Sequence, residues 1–487
     1  MKILIAASEM APFAKTGGLG DVVAALPRAL ARLGHEVKTV IPRYSVIDEN
    51  VHPLQSLEWS LEVPAERRLI PTALAVHRSR RPAMESYFVD NEEYFDRRSL
   101  YQDPKTGTDY PDNDERFIFF SRAVLETVKK IDWRPDIVHV HDWQAGLVPV
   151  YLKTIYARDP FFGGTRSVFT IHNLAYQGMF NAARYGKLSL PDDLFKPLAP
   201  FEFFGKVNFL KAAIAYADKI TTVSPRYACE VQSSAELGCG LQDVLRGRGA
   251  DLAGILNGVD YGIWSPSRDK NIPYHYHVNN LSGKRMNKVE LLGSARIPFR
   301  EKTPLIGMIS RLVDQKGCDL VAQAAERLLT LNVQMIILGN GEESYHRLFS
   351  SLQKKYPDRL RTYLVFDDTL AHRIEAGADM FLMPSRFEPC GLNQMYSLKY
   401  GTVPIVREVG GLADTVADYD PATGTGTGFV FQDYTPEAML EAVSRAVDLF
   451  AHKRRWTKLM KAGMRQDFSW DRSAVKYVQL YEQLKQT

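Results

Sequence analysis

A glycine-rich loop near the start of the chain is the first segment whose residues could do chemistry. It reads Lys15-Thr16-Gly17-Gly18-Leu19-Gly20-Asp21 and follows a short apolar run. Glycines let backbone N–H groups approach a ligand, and the N-terminus of a following helix adds unpaired donors and partial positive charge. Together with the Lys15 ammonium, these groups could bind a phosphate. The loop matches neither the dinucleotide-binding fingerprint nor the P-loop, so a simple turn between a strand and a helix is the alternative.

Two cations lie five residues apart in a second segment, Ser310-Arg311-Leu312-Val313-Asp314-Gln315-Lys316-Gly317. The segment follows a predicted strand. The Arg311 guanidinium and the Lys316 ammonium could bind a diphosphate there and stabilise the charge that builds up as it leaves. The alternative is a pair of solvated surface cations.

A third segment, Arg386-Phe387-Glu388-Pro389-Cys390-Gly391-Leu392, combines a carboxylate with a turn. If a helix begins here, the amides of Cys390, Gly391 and Leu392 would point at a ligand phosphate. Glu388 could bind sugar hydroxyls or support positive charge on a sugar carbon. Otherwise it is an acidic residue that complements the helix dipole.

Histidine and aspartate side chains follow two further predicted strands, in His139-Val140-His141-Asp142-Trp143-Gln144 and in Thr170-Ile171-His172-Asn173-Leu174. A metal site is disfavoured, because the two segments come from separate strands and offer neither a pair of histidines on one helix face nor a cysteine. Hydrogen bonding to a sugar suits these groups better. Trp143 could stack on a pyranose ring.

The bulk properties exclude several classes of protein. A chain of 487 residues exceeds the size at which one core usually splits, so we expect two domains. The 61 basic and 57 acidic side chains nearly cancel, which argues against a dedicated nucleic-acid binder. Four cysteines without C-x-x-C spacing favour a reducing compartment. No apolar stretch approaches the length of a membrane span or a signal peptide, so we expect a cytoplasmic protein without a membrane partner.

Strands and helices alternate in the first half of the chain, which predicts a parallel, doubly wound sheet. A strand from Lys2 to Ala7 leads through the glycine loop into a helix from about Leu19 to Leu33, and Gly34 is a plausible helix stop. The later predicted strands are Glu36–Ile41, Ile137–Val140, Ser167–Ile171, Ile220–Val223 and Leu252–Leu256.

The pattern breaks near Asn257-Gly258-Val259-Asp260, and about forty residues rich in Pro, Asn, Tyr and His follow, up to about Arg300. A second α/β sheet is then predicted, with strands at Leu305–Ile309, Gln334–Leu338, Arg361–Val365, Met380–Met383 and Val403–Val406. The last predicted element is a helix over 469–484, whose apolar positions are Val475, Val478, Leu480 and Leu484. Open α/β sheets bind ligands at the carboxyl ends of their strands, so two of them predict a cleft between lobes.

Several segments together resemble the bacterial glycogen synthase and plant starch synthase family. They are Lys15-Thr16-Gly17-Gly18-Leu19-Gly20-Asp21-Val22, Ser385-Arg386-Phe387-Glu388-Pro389-Cys390-Gly391-Leu392 and Gly410-Gly411-Leu412-Ala413-Asp414-Thr415-Val416, with Asn257-Gly258-Val259-Asp260 and Arg311…Lys316 in family order. The K-T-G-G-L opening is specific to the branch that uses ADP-glucose. One difference concerns Tyr396, which stands where many retaining glycosyltransferases of this fold carry a second Glu after Glu388.

The resemblance implies a GT-B fold, which consists of two Rossmann-like domains facing across a cleft. Residues 1–257 would form the domain on the acceptor-glucan side, and residues 258–468 the domain on the nucleotide-sugar side. Residues 469–487 would form a helix that packs back on the first domain. The implied reaction transfers glucose from ADP-glucose to the non-reducing end of an α-1,4-glucan, with retention of configuration and release of ADP, and without a cofactor or metal.

The resemblance also implies a role for each candidate residue. The catalytic residues would be Glu388, His172, Arg311 and Lys316. The donor-binding residues would be Lys15, Gly17, Gly18, Asn257, Cys390, Gly391 and Leu392. The acceptor-binding residues would be Asp21, Tyr94, Asp142 and Trp143. Two alternatives stay open: a related transferase that forms a small disaccharide such as sucrose or trehalose, and a glucan-binding protein without activity.

Overall fold

The structure is a computed structural model that describes residues 1–66 and 68–486. Its contacts divide the chain into two compact units. The first unit comprises Met1–Val223, Ala228–Gly258 and the C-terminal segment from Trp470. The second comprises Ser224–Tyr227 and Val259–Ser469. The main crossing between the units, at Gly258, lies inside the segment where the sequence pattern changes.

The first unit is built on a large mixed sheet. Its strands are β1 (Lys2–Ala6), β2 (Glu36–Pro42), β3 (Gln55–Ser56), β4 (Leu61–Ala65), β5 (Arg68–Arg80), β6 (Ala83–Asp90), β7 (Ile137–His141), β8 (Arg166–Ile171), β12 (Lys219–Thr222) and β13 (Leu252–Gly254). Between β8 and β12 along the chain, three strands form a small separate antiparallel sheet: β9 (Met179–Asn181), β10 (Glu202–Phe203) and β11 (Lys206–Asn208). The strands from β13 through β12, β8, β7, β1 and β2 to β6 are parallel in that order. This part confirms the predicted parallel sheet.

Antiparallel strands extend the sheet beyond β6, and the sequence patterns had not predicted them. β5 pairs antiparallel with β6, and β3 and β4 pair antiparallel with β5. Along β5 buried and exposed residues largely alternate. A strand with one solvated face lacks the continuous apolar run that identifies a strand buried on both faces, so such runs do not predict it.

Eight helices connect these strands: α1 (Gly18–Arg32), α2 (Glu92–Phe95), α3 (Asn113–Lys130), α4 (Asp142–Ala145), α5 (Leu147–Lys153), α6 (Phe209–Tyr216), α7 (Pro225–Glu230) and α8 (Gln242–Gly247) among the described residues. α1 begins at Gly18, inside the glycine-rich segment. It buries one face that includes Val22, Leu26 and Leu30. It ends before Gly34, whose φ of +87° is the left-handed conformation that commonly ends a helix.

The second unit has a parallel sheet with helices packed around it. Its strands are β14 (Leu305–Ile309), β15 (Gln334–Leu338), β16 (Leu360–Tyr363), β17 (Met380–Met383), β18 (Val403–Arg407) and β19 (Phe429–Phe431), in the order β16-β15-β14-β17-β18-β19. Its helices are α9 (Ser282–Ser294), α10 (Cys318–Thr330), α11 (Glu343–Lys355), α12 (Asp368–Gly377), α13 (Asn393–Tyr400), α14 (Gly410–Thr415), α15 (Pro436–Phe450) and α16 (Lys453–Met464). Buried apolar clusters cover this sheet.

Helix α9 lies in the stretch to which the sequence pattern assigned no strand or helix. Its buried face includes two lysines, Lys284 and Lys288. The ammonium of Lys284 donates to the Thr402 hydroxyl at 2.7 Å, and that of Lys288 donates to the Asp379 carboxylate at 2.6 Å. Because these buried positions carry charged residues, the helix does not show an apolar period.

The last helix, α17 (Trp470–Gln486), belongs to the first unit and packs against α1. Its buried positions include Ala474, Tyr477 and Tyr481, whereas Val475 is 43% exposed. Tyrosines as well as aliphatic residues therefore form the inward face of the helix. The predicted apolar positions included Val475, which lies outside that face. Like every other helix in the described residues, α17 is not long and apolar enough to cross a lipid bilayer.

Candidate active site

Three loops of the second unit meet at the carboxyl edge of its sheet. They follow β14, β17 and β18, which are neighbours in the sheet, and the parallel strands bring their ends to one edge. The Arg386 amide donates to the Gln315 carbonyl at 2.9 Å, and the Gly411 amide donates to the Glu388 carbonyl at 3.1 Å. The fold therefore joins the predicted cation segment, the predicted Glu388 segment and the Gly410-Gly411 segment into one site.

Two glycines make this close approach possible. A Cβ atom at Gly317 would lie 2.1 Å from the Pro384 carbonyl oxygen, and one at Gly410 would lie 2.0 Å from the Glu388 carbonyl oxygen. Both residues also have positive φ angles, of +74° and +42°. A side chain at either position would push the Glu388 loop away from its neighbours.

Glu388 and Lys316 form an ion pair at the centre of this site. The Lys316 ammonium donates to the Glu388 carboxylate at 2.6 Å, and the Ser385 hydroxyl donates to the same oxygen at 3.0 Å. Glu388 is only 5% exposed. The sequence had indicated these two residues separately, for sugar and for phosphate, and the structure places the two charges side by side.

Arg311 lies in the same loop as Lys316 and is exposed. Its guanidinium donates to the Gln315 side-chain oxygen at 3.3 Å. The main chain of that glutamine is itself bonded to the Glu388 loop through the Arg386 amide. The loop that carries the exposed guanidinium is thus held by a backbone hydrogen bond to the Glu388 loop.

The turn before α13 is fastened by one buried glutamine. The Gln394 side-chain amide donates to the carbonyls of Cys390 and Gly391, each at 3.0 Å, and lies 3.2 Å from the Thr415 hydroxyl. Gly391 has a φ of +68°. These bonds use the carbonyls of the turn and not its amides. The amides of residues 390–392 lie at the N-terminus of α13, a position that favours the binding of an anion.

In the first unit, the glycine loop is held by a buried carboxylate that the sequence analysis missed. Glu9 is 3% exposed. It accepts hydrogen bonds from the Thr16 amide at 2.7 Å, from the Gly17 amide at 3.3 Å and from the Tyr101 hydroxyl at 2.7 Å. The Gly17 amide is therefore directed at Glu9, and the binding of the donor by Gly17 stays a prediction. The available signal in the sequence was a carboxylate close behind the apolar run of the first strand.

Lys15 and Asp21 form an ion pair across the same loop, with the ammonium 2.7 Å from the carboxylate. The two side chains are 40% and 36% exposed. The resemblance had implied opposite roles for them, with Lys15 on the donor and Asp21 on the acceptor. At this exposure the pair contributes little to stability, so the two groups are easily separated by a ligand.

Two predicted acceptor residues are buried in aromatic clusters. Trp143 is 8% exposed, and its ring meets that of Phe117 edge-on at 5.0 Å. A Cβ atom at Gly178 would lie 2.5 Å from the indole, so main chain covers that ring as well. Tyr94 is 4% exposed and packs against Phe119 at 4.9 Å. The structure thus contradicts the stacking of Trp143 on a pyranose, since its ring serves the core.

Asp142 and His172 are brought together at the ends of β7 and β8. The His172 amide donates to the Asp142 carboxylate at 2.8 Å. Asp142 has a φ of +54°, which is unusual for a residue other than glycine and indicates a constrained backbone. Burial raises the pKa of the Asp142 carboxyl to about 7. Asp142 therefore holds the His172 loop, and its contact with the acceptor stays a prediction.

Asn257 lies beside the start of the terminal helix. A Cβ atom at the next residue, Gly258, would lie 2.5 Å from the Trp470 Cα atom, so the two backbones touch. Asn257 is 5% exposed, and its side-chain oxygen has no hydrogen-bond partner within the described residues. Buried polar atoms are usually paired, so this oxygen suits a donor from a ligand.

Within residues 1–66 and 68–486, no group of three or more His, Cys, Asp or Glu side chains is arranged to hold a metal ion.

Two family models match the chain: "Starch synthase catalytic domain" over residues 2–247 and "Glycosyl transferases group 1" over residues 294–461. A glycogen synthase from Anaeromyxobacter dehalogenans is 50% identical over 485 residues, which cover 99% of this chain and 100% of the relative. A glycogen synthase from Koribacter versatilis is 50% identical over 486 residues, covering 100% and 99%.

The chain belongs to the bacterial glycogen synthase and plant starch synthase family. A solved structure of the family agrees: the catalytic domain of starch synthase IV from Arabidopsis thaliana, bound to ADP and acarbose, is 34% identical and superposes with a TM-score of 0.92, covering 100% of this chain and 99% of that one. The two units, each built on a sheet with a run of parallel strands, and this match confirm the predicted GT-B fold and an enzyme of the glycosyltransferase class.

Tyr396 shows how this family member fills the position of the second glutamate. Its ring stacks on Trp264 with centroids 3.9 Å apart, and Trp264 stacks on His372 at 3.7 Å. The His372 ring contacts the buried Asp269 carboxylate through Nδ1 at 2.7 Å. A stack of aromatic rings therefore supports α13, where a second carboxylate would have required a partner.

We expect the protein to lose stability as the pH falls from about 7 to about 5. Burial lowers the pKa of His139 and His172 to about 3 and that of His141 well below its usual value. In the unfolded chain these groups take up protons near pH 6.5, so below that pH the unfolded state binds more protons than the folded one. Each histidine contributes up to about 1.4 kcal/mol per pH unit in this range. The three together outweigh the carboxyls of Asp142 and Glu375, whose pKa values burial raises to about 7 and about 8 and which act in the opposite direction.

The measurement is the midpoint of urea unfolding across this pH range. His277→Gln is the matched control, because His277 is exposed and its replacement should leave the slope unchanged. Equal midpoints at both ends of the range would contradict the neutral state of the three histidines.

Proposed function

We propose that the chain transfers glucose from ADP-glucose to the non-reducing end of an α-1,4-glucan, with retention of configuration, and releases ADP. Glycogen synthases that are 50% identical over almost the whole chain support this activity. The Arabidopsis starch synthase structure, bound to ADP and acarbose, supports the two substrate classes. The observation that carries the proposal is the Lys316–Glu388 pair at the carboxyl edge of the second sheet.

The second unit would bind the donor. Lys316 and Arg311 supply two positive charges to the diphosphate, and the N-terminus of α13 adds the amides of Cys390 to Leu392. These charges stabilise the leaving ADP as the bond to glucose breaks. Since side-chain cations fulfil this role, we expect no metal or cofactor.

Glu388 would act on the glucose. Its carboxylate accepts hydrogen bonds from sugar hydroxyls and favours the positive charge that develops at the reacting carbon. Its neighbour Lys316 keeps the carboxylate oriented through the 2.6 Å contact. We propose that retention needs no covalent intermediate and that the acceptor attacks from the face on which ADP leaves.

The first unit would bind the acceptor glucan. Lys15, Gly18 and Asn257 stay predicted donor-binding residues, and Asp21 stays a predicted acceptor-binding residue. His172 is proposed to hydrogen-bond the transferred glucose. A cytoplasmic location is also proposed, and the pattern of the four cysteines supports it.

A donor competition tests this function. The purified protein is given glycogen together with radiolabelled ADP-glucose or radiolabelled UDP-glucose, and the label in alcohol-insoluble glucan is counted. We expect label from ADP-glucose to enter the insoluble glucan, and ADP-glucose to be used at least about ten-fold better, as a site matched to one base allows. Label in a small soluble sugar would indicate the disaccharide-forming alternative, and no transfer from either donor would indicate a glucan-binding protein without activity.

A further inference from the structure

Two histidines of β7 lie side by side inside the first unit, and the proposed reaction uses neither. His139 and His141 are fully buried. They point to the same face of the sheet because they are two residues apart on a strand, and their ring centroids are 4.3 Å apart. Both ring nitrogens of His139 are occupied, since Nδ1 lies 2.7 Å from the Tyr481 hydroxyl and Nε2 lies 2.6 Å from the Thr170 hydroxyl.

His141 differs from its neighbour, because only one of its nitrogens has a partner. Its Nδ1 lies 2.9 Å from Nε2 of His172. Its own Nε2 is buried and makes no hydrogen bond within the described residues. The histidine proposed to bind glucose is therefore attached to the interior of the sheet through a single imidazole–imidazole bond.

Both rings of this bond are neutral near pH 7, because burial lowers the pKa of His141 and that of His172 far below 7. A neutral imidazole carries one N–H and one lone pair. The proton in the bond belongs either to His141 Nδ1 or to His172 Nε2. If the proton is on His141 Nδ1, His141 has a lone pair on Nε2 and His172 carries an N–H on Nδ1. If it is on His172 Nε2, His141 carries an N–H on Nε2 and His172 has a lone pair on Nδ1.

The buried Nε2 of His141 decides between the two arrangements. If His172 donated, His141 would carry its proton on Nε2, as a buried N–H without an acceptor. If His141 donates from Nδ1, the unpaired group at Nε2 is a lone pair. Buried N–H groups without a partner are rarer and costlier than unused lone pairs. The arrangement in which His141 donates is therefore favoured, and it leaves His172 with its proton on Nδ1.

We propose that His141 is a positioning residue that holds His172 in the tautomer protonated at Nδ1, so that the His172 ring donates a hydrogen bond to one hydroxyl of the transferred glucose. This rests on the proposed function, which assigns the glucose to His172. His139 packs against the ring of His141 and is itself held by Tyr481 of α17. The terminal helix thus supports the ring that sets the tautomer.

An isosteric pair of variants tests the direction of this bond. In His141→Asn the side-chain amide can still donate to His172 Nε2. In His141→Asp the carboxylate only accepts, so His172 must move its proton to Nε2 and loses the donor at Nδ1. The readout is kcat/KM for ADP-glucose relative to a series of ADP-sugars that each lack one glucose hydroxyl.

We expect the wild type and His141→Asn to share a preference of about ten-fold or more for one hydroxyl, and His141→Asp to lose that preference to within about three-fold. Tyr481→Phe is the control for general loosening, since it removes a buried hydroxyl from the same cluster without touching the bond to His172, and it should keep the preference. The proposal is overturned if His141→Asp keeps the preference, or if Tyr481→Phe loses it equally.

A second measurement keeps the proposal testable if His141→Asp does not fold. The wild-type protein is prepared with ¹⁵N-labelled histidine, and His172→Gln identifies the signals of His172. We expect the ¹⁵N shifts to show a protonated Nδ1 and an unprotonated Nε2, and the reverse result overturns the proposal. This readout needs no turnover, so a failure of the tautomer assignment is distinct from a failure to use ADP-glucose.

Discussion

Replacing Glu388 with alanine is expected to lower kcat by about 10²–10³-fold, while the affinity for glycogen changes little. The carboxylate is 5% exposed and stands 2.6 Å from the Lys316 ammonium, so its charge acts in a site with little water to screen it. The proposed function has it stabilise charge that develops only as the bond to ADP breaks. Such a group affects the transition state more than the bound substrate. The measurements are initial rates with ADP-glucose and a glycogen-binding assay.

Two variants separate the charge of Glu388 from its structural contacts. Glu388→Gln keeps the shape and loses the charge, so it should be nearly as slow as the alanine variant. Ser385→Ala removes only the hydroxyl that donates to the carboxylate at 3.0 Å, and it should cost about ten-fold or less. A Glu388→Ala protein with an unchanged unfolding midpoint and a kcat within about ten-fold of wild type would contradict the role proposed for this carboxylate.

Replacing Lys316 with alanine is expected to lower kcat/KM for ADP-glucose by about 10²–10³-fold and to weaken the binding of ADP itself. The ammonium would neutralise the leaving diphosphate, and its removal also deprives the buried Glu388 carboxylate of its cation. Lys316→Arg keeps the charge in a larger planar group, so we expect it to restore ADP binding better than turnover. Steady-state kinetics and calorimetric titration with ADP measure the two effects.

The matched control is Lys302→Ala. Lys302 is an exposed lysine of the same unit that precedes β14, at the opposite end of that strand from the site loop. Its removal changes the net charge equally and should alter kcat/KM by no more than about two-fold, because exposed charges are screened. If the two alanine variants weaken ADP binding to the same small extent, the cation at 316 has no specific place in the phosphate site.

Much of the fold could be predicted from the sequence, because a strand buried on both faces is a continuous apolar run. The strands Leu305–Ile309, Gln334–Leu338 and Met380–Met383 have the predicted bounds in the structure. Two regions could not be predicted in this way. The antiparallel strands over 55–90 have a solvated face, and the helix Ser282–Ser294 buries lysines, so neither has the expected apolar pattern.

The candidate site was predicted in part. The sequence indicated Lys316 and Glu388 as chemistry-bearing residues, and the structure pairs them. It missed Glu9, which reads only as the end of an apolar run, although its carboxylate binds the amide of Thr16 in the glycine loop. It assigned a ligand to Trp143, whose ring is in the core. Residue type indicates what a side chain can do, whereas burial decides whether it meets a ligand.

The sequence by itself determined the family, the alternation of strands and helices, and the loop segments that carry the charges. These features depend on residues close together along the chain, where glycines, apolar runs and neighbouring charges have local effects. Only the tertiary structure decided which polar groups share a hydrogen bond. Lys316 and Glu388 are 72 residues apart, and they meet because β14 and β17 are neighbouring parallel strands whose ends lie at one edge. Strand order is set by packing of the whole sheet, which no local pattern contains.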